Sequence, residues 1–339
     1  MSDKLAAWDV REEDFPRAGT LFDRLKFVLR YAVLAPSGPN TQPWKLSIEG
    51  SVVSLIADFT RSLPSLDPTR RTLYISHGCL LANTLIAAEH FGFGYEVKCL
   101  PDGLSGERTA AIRFSEKAAE HRFPDLFLEI TKRHTNRKPY EDRAIDEETL
   151  KVLKDCVYRK GFRLDIVSGI EGKNEIAEIL ARAQKIQLGN KEMRKELAAW
   201  VRPNNSDAMD GLPGYSFGYS DFESFLGAFL FATFDMSSSR ARIETANIIS
   251  SPAVGVISTD SDDVLTWIRT GVLLETLFLA ATKMDVRFDL FSQPIAIPEL
   301  RHEMALMLKS RYPQMLIRMG YAQPSKHTPR QPVEDVLVS

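Results

Sequence analysis

The sequence predicts an α+β fold assembled from two related halves, and three observations carry that prediction. The chain has 339 residues, more than one core ordinarily needs. Short runs of alternating hydrophobicity, which mark half-buried strands, are interspersed with segments whose apolar residues recur at helical spacing. The chain also repeats itself. GCLLANTLIAAEHFGFGY (Gly78–Tyr95) aligns without gaps on GVLLETLFLAATKMDVRF (Gly271–Phe288), with the glycine, the Leu-Leu pair and the Ala-Ala pair coincident. Two buried amphipathic helices can share such spacing on their own. Here each copy is also followed by a strand-like segment and preceded by a strand opening after a proline, Pro43 and Pro252. Each half therefore reads as a small sheet packed by helices.

In order along the chain, Thr20 caps a helix whose apolar positions include Leu21, Leu25, Val28, Leu29 and Ala32. Pro36 disfavours helix at Ala35 and ends it before the segment APSGPNTQPW, Ala35–Trp44. WKLSIEGSVVSLIADF reads as two alternating strands turning at Glu49-Gly50. A helix from Thr69 to Phe91 follows, with Gly92 as its C-cap, then strands at Tyr95–Leu100 and Thr109–Phe114. Helices are expected at Phe123–Lys132 and Glu147–Tyr158, a strand at Phe162–Val167, and one long charged helix over Gly172–Trp200. The segment 202–225 is rich in Gly, Ser, Pro and aromatics, a composition that suits an ordered lid better than a free linker. Beyond it come a strand at Ala253–Ser258, helices at Val264–Met284 and Glu299–Leu308, and a last strand at Gln314–Arg318.

Composition narrows the function classes. The formal net charge of −2 gives no general attraction to nucleic acid or to an anionic membrane. Three scattered cysteines without CxxC spacing point to reduced thiols and a cytoplasmic setting. The charged N-terminus has no apolar core, so no signal peptide is expected, and no run is read as a membrane span. The six histidines form no close pair and HExxL replaces HExxH at His302, so no metal is expected. GxSxG at Gly214–Gly218 lacks a supporting strand and partners, and the short Gly92-Phe93-Gly94 lies in the wrong order for a dinucleotide fingerprint.

Two segments remain. KRHTNRK, Lys132–Lys138, reads most simply as a solvated basic run. If it is extended, Arg133, Thr135 and Arg137 share one side, and two guanidiniums with a hydroxyl suit a phosphate. In the opening loop, Asn40 and Gln42 alternate in the same way and offer amides to a heterocycle edge, with Ser37 and the Gly38 backbone close by. Prolines 36, 39 and 43 stiffen it.

APSGPNTQPW resembles the APSxxNxQPW signature of the flavin-dependent nitroreductase superfamily, and RHTNRKPY resembles its RxSxR segment. The order of the two, with DPTRRTL, SQPIAIPELR, PQMLIRMGYA and TPRQPVEDV, is similar to the twin-domain, Acg-like branch over residues 20–335. The resemblance implies a nitroreductase-like α+β fold: two related, mostly antiparallel sheets flanked by helices, an internal pseudo-dimer. The halves would be residues 1–120, with the flavin-ring loop 35–44, and 121–339, with the phosphate segment 132–138 and the lid 202–225. It implies FMN as cofactor and NAD(P)H as electron donor. Arg133 and Arg330 would hold phosphate, His134 and Thr135 would lie along the ribityl-phosphate, and Arg137 would sit near the flavin N1/O2 edge. Pro36, Ser37, Asn40 and Gln42 would reach the ring, and Ser292 and Gln293 would stand near N5. IISSPAVGV in the second half carries no amide-bearing loop where the first has NTQPWKLSI, so one competent site per chain is expected and a further dimer is not required for it. Two functions stay open: an oxidoreductase passing electrons to a nitroaromatic, a quinone or a similar small flat acceptor, and a lidded FMN store with little turnover. No catalytic side chain is expected, because the cofactor carries the chemistry.

Overall fold

The computed structural model describes residues 4–117, 123 and 125–338. Helix α1 (Leu21–Ala32) starts on a reciprocal cap: the Thr20 hydroxyl accepts from the Asp23 N–H, and the Asp23 carboxylate accepts from the Thr20 N–H. Strands β1 (Trp44–Glu49) and β2 (Val52–Ala57) form a hairpin through Gly50, which takes the left-handed conformation such a turn requires. Helix α2 (Arg71–His90) and strands β3 (Gly94–Cys99) and β4 (Arg108–Ser115) complete the first unit.

The second unit opens with α3 (Glu147–Val157) and β5 (Phe162–Val167). A long excursion follows, through α4 (Ile170–Gly189), α5 (Lys191–Ala198), β6 (Val201–Arg202), β7 (Leu212–Pro213), α6 (Asp221–Thr233) and α7 (Ser237–Ser250). The chain then returns as β8 (Ala253–Thr259), α8 (Val264–Lys283), β9 (Arg287–Phe291), α9 (Gln293–Ala296), α10 (Pro298–Met307), β10 (Tyr312–Gly320) and the short α11 (Val333–Val336).

Both four-stranded sheets are antiparallel throughout, with orders β1-β2-β4-β3 and β5-β8-β10-β9. These are one topology used twice, with β1 matching β5, β2 matching β8, and α2 matching α8. The expected α+β architecture of two related antiparallel sheets is what forms. Its axis passes between α2 and α8, the most extensively packed helix pair. A Cβ on Gly78 would stand 2.0 Å from the Ile268 carbonyl oxygen, and one on Gly271 1.9 Å from that of Ile75. The two contacts are mirror statements of one another, because Ile75 and Ile268 are related by the same sequence offset as the two glycines. Only glycine permits this backbone approach.

The topology corrects the strand matching read from the prolines. Pro43 introduces β1, whereas Pro252 introduces β8, the counterpart of β2. The two-residue turn of the first hairpin is replaced in the second by residues 168–252, which misled the alignment. The true counterpart of the opening loop is Tyr158–Gly161, between α3 and β5, and it carries no amide side chain either.

Two other expectations change. The long helix breaks at Asn190, whose side-chain oxygen accepts from the N–H groups of Glu192 and Met193 and starts a new helix. Part of the expected helix Phe123–Lys132 and the 120/121 boundary lie outside the described residues. What is described there is a 3₁₀ turn, Phe127–Glu129, after Asp125 in the left-handed region. Helix α8 is long and apolar enough by composition to cross a membrane, yet it packs along α2 with Leu274, Leu277, Phe278 and Leu279 buried. The main core runs through both units. A second core joins α4 and α10 to the outer face of β8 and β10, and a third, small one gathers Leu188, Ala198, Val201 and Phe231 beneath α6.

Candidate functional site

Two adjoining cavities, of about 470 and 190 Å³, lie where the opening loop, the 132–138 segment and the long excursion meet. Their shared wall includes Pro36, Ser37, Thr135, Arg137, Phe217 and Glu244. The larger cavity adds Asn40, Arg133, His134 and Arg330, so most of the residues singled out in the sequence converge here. Ser292 and Gln293 line the smaller one. Gln42 lines neither.

The 132–138 segment is extended where alternation required it: Thr135 bridges to Phe288, and the Asn136 N–H donates to the Phe288 carbonyl. Arg133, Thr135 and Arg137 accordingly face the same cavity. Their states differ. Arg137 is partly exposed, 3.9 Å from the Asp289 carboxylate. Arg133 is buried, 3.1 Å from Glu275, donates to the Leu34 carbonyl and lies over the Phe278 ring. Burial pushes the Glu275 carboxyl up to about 7 despite the Arg133 and Arg330 charges. Arg330 donates to Asn40 Oδ1 at 2.6 Å and to Thr328 Oγ1 at 2.7 Å, and burial with the nearby Arg133 charge lowers it to about 9.

The side chains of Asn40, Gln42 and His134 are engaged within the protein. The opening loop is not an extended strand: Gly38–Asn40 is a 3₁₀ turn, and Asn40 and Gln42 both have positive φ. The amides consequently turn into the protein. Asn40 donates to the carbonyls of Gly211 and Pro329 and accepts from Arg330. Gln42 donates to the Met209 carbonyl and accepts from the Gln331 N–H. Their hydrogen bonds fasten the 202–225 segment and the C-terminal tail to the loop. His134 has both ring nitrogens engaged, Nδ1 donating to the Lys132 carbonyl and Nε2 accepting from the Ser325 N–H, and burial lowers its pKa. It is a neutral strut for the tail.

The 202–225 segment covers the larger cavity with Leu212 and Tyr215–Gly218. The Tyr215 hydroxyl donates to the His327 carbonyl at 2.6 Å, and Asp210 pairs with Arg61 at 2.5 Å and Arg202 at 2.8 Å. The GxSxG stretch inside it is a 3₁₀ turn.

Several wall residues carried no sequence signal. Trp8 stacks on His327, with ring centroids 4.0 Å apart, and donates to the Thr328 carbonyl. Arg240, Glu244 and Asn247 come from α7, in a stretch to which no helix was assigned. Ser325, Lys326 and His327 belong to the irregular tail, where burial holds His327 neutral, at about 3. Among the described residues, the larger cavity is walled by six cations, Arg133, Arg137, Lys138, Arg240, Lys326 and Arg330, and one carboxylate, Glu244.

No protein-family model matches the chain. Among curated proteins it is 27% identical over 332 residues, 95% of this chain and 92% of the other, to a Mycobacterium tuberculosis H37Rv protein named "Putative NAD(P)H nitroreductase". It is 25% identical over 331 residues, 93% of this chain and 95% of the other, to "Putative NAD(P)H nitroreductase acg" of the same strain. Among solved structures it resembles the FMN-dependent nitroreductase NfnB of Mycobacterium smegmatis in complex with NADPH, with 17% identity, 57% of this chain and 86% of that chain covered, and a TM-score of 0.38.

Proposed function

We propose that this chain, a relative of the NAD(P)H nitroreductases along nearly its whole length, is an FMN-binding oxidoreductase of their type. In this reading it takes electrons from NAD(P)H and passes them to a nitroaromatic, a quinone or a similar flat acceptor. One observation carries the reading: a cavity built by the opening loop and the 132–138 segment is walled by six cations against one carboxylate.

The donor set fits FMN. The joined volume is in the roughly 300–1,000 Å³ range of small-molecule sites. Arg330 Nε and His327 Nδ1 are buried polar atoms without a protein partner in the wall of the larger cavity, and Gln293 Oε1 is another beside the smaller. Arg133, Arg137, Lys138, Lys326 and Arg330 supply the positive charge that a phosphate needs. Pro36, Leu63, Phe217 and Leu274 give the smaller cavity apolar surfaces for a flat ring.

FMN, when bound, supplies hydride acceptance from a nicotinamide and electron transfer to the acceptor. The chain's own part is positional. Arg137, partly exposed on the wall shared by both cavities, would offer positive charge to the ring of a reduced cofactor. Tyr215 and Phe217 keep water out, and Asn40 and Gln42 hold the covering segment in register. No side chain is required as a nucleophile.

A second reading, storage of FMN with little or no turnover, is favoured by the same covering segment. Asn40, Gln42 and Tyr215 tie it to the opening loop and the C-terminal tail through three hydrogen bonds. The visible spectrum of the purified protein separates the readings. Flavin bands near roughly 370 and 450 nm, bleached by anaerobic NADPH, support the reductase. Bands that persist favour storage, and a colourless protein that refuses added FMN overturns both.

A further inference from the structure

Helix α6 is turned inside out relative to an ordinary surface helix. Its buried positions are Ser224, Gly227 and Phe231, seated on the small core beneath it. Its outward face carries Phe222, Phe225, Leu226 and Phe229, at i, i+3, i+4 and i+7. Phe222 is 79% exposed, Phe225 70% and Phe229 60%. Phe234, 53% exposed, extends the stripe with its ring 6.2 Å from that of Phe229. At about 200 Å² per phenylalanine, the stripe leaves roughly 600 Å² of apolar surface in water. That is the upper limit of the largest patch a typical monomer shows.

We propose that this face is a homodimer interface, in which α6 of one copy packs across α6 of a second. The area argues for it: a stable interface buries about 800 Å² per partner, and the stripe alone supplies roughly 600 Å² of apolar surface toward it. The pattern argues for it too, since an i, i+3, i+4, i+7 stripe is self-complementary about a twofold axis, the commonest symmetry of soluble oligomers. Asp221 and Glu223 flank the stripe on both sides as a polar rim. The charges argue against a membrane as the occupant. No lysine or arginine lies between Asp221 and Asp235, whereas an interfacial membrane helix carries cations beside its apolar face. None of Phe222, Phe225, Leu226 and Phe229 lines either cavity, so this dimer is additional to the internal pairing of the two units.

The test is the solution mass, by light scattering after gel filtration over a range of concentrations. The wild-type chain is expected at twice 38.2 kDa. The triple variant Phe222→Ser, Phe225→Ser, Phe229→Ser, and separately Phe225→Asp alone, are expected at a single copy with unchanged circular dichroism and melting temperature. A wild-type monomer at every concentration overturns the proposal, and so does a dimer that persists in both variants. Flotation with neutral or anionic vesicles provides the other arm: wild-type protein that floats while monomeric assigns the stripe to lipid and overturns it.

Discussion

Arg133 and Glu275 face each other with almost no exposure, 1% and 0%, where the two units meet. Burial raises the Glu275 carboxyl from its ordinary 4.5 to about 7, because desolvation outweighs the Arg133 charge. The folded state therefore holds this proton more tightly than the unfolded chain does. The stabilisation it brings is complete below pH 4.5 and is lost as the pH rises to about 7. Between pH 5 and 7.5 the unfolding free energy should fall by up to ~1.4 kcal/mol per pH unit from this group. Glu275→Gln should flatten that part of the profile in urea titrations. Parallel profiles for the two proteins would mean a carboxylate ionised throughout. At this scale the sequence was legible only in part. Alternation placed Arg133, Thr135 and Arg137 on one wall, because an extended segment has a fixed period. The same rule failed for Asn40 and Gln42, whose positive φ values break the period. Their partners, moreover, lie 171 and 289 residues away for Asn40, beyond any local pattern.

The central elements were the most legible, since α2 and α8 repeat one another in sequence. The glycine shared by the two copies has a packing reason: each admits a carbonyl of the other helix to within about 2 Å of where a Cβ would stand. Gly78→Ala or Gly271→Ala must push the helices apart along the main core. Overpacking of this kind costs about 1–3 kcal/mol, and more where backbone is the obstacle. Either substitution should lower the melting temperature sharply or abolish soluble expression. Gly189→Ala, near the end of α4, meets nothing within 4 Å and has no positive φ. It should leave stability unchanged or raise it by about 0.5–1 kcal/mol, through the better helix propensity of alanine. Elements outside the repeat were harder to read. Helices α6 and α7 lack a clear polar–apolar division, since α6 is apolar nearly all round and α7 is mostly serine and charged or polar residues. The strand matching failed because a hairpin turn in one unit became an 85-residue excursion, residues 168–252, in the other.

That excursion is what makes the whole molecule asymmetric. Two copies of one sheet would close two equivalent sites across their axis. Here the excursion walls one cavity with Leu212 and Tyr215–Gly218, and the short Tyr158–Gly161 connection leaves the second copy without an amide-bearing loop. The excursion is itself two-layered. Helices α4 and α7 pack along each other, with α4 sealing the second core against β8 and β10, whereas α5, β6, β7 and α6 gather on their own small core. Since α4 leaves β5 and α7 returns to its neighbour β8, the far ends of the two helices, Gly189 and Ser237, lie on the same side. Residues 191–236 can thus be replaced by a short Gly/Ser link, turning α4 and α7 into a plain helical hairpin. The shortened protein should keep both sheets and a cooperative thermal transition, because neither of the two larger cores loses a member. On the proposed reading, FMN should dissociate at least tenfold faster, since the wall residues Leu212 and Tyr215–Gly218 are gone while the cations of the 132–138 segment remain. NADPH then decides between turnover and storage. If the intact protein resists bleaching and the shortened one bleaches, the lid is the barrier and storage is the native task. If both bleach at similar rates, the lid leaves room for the donor and the chain is a reductase.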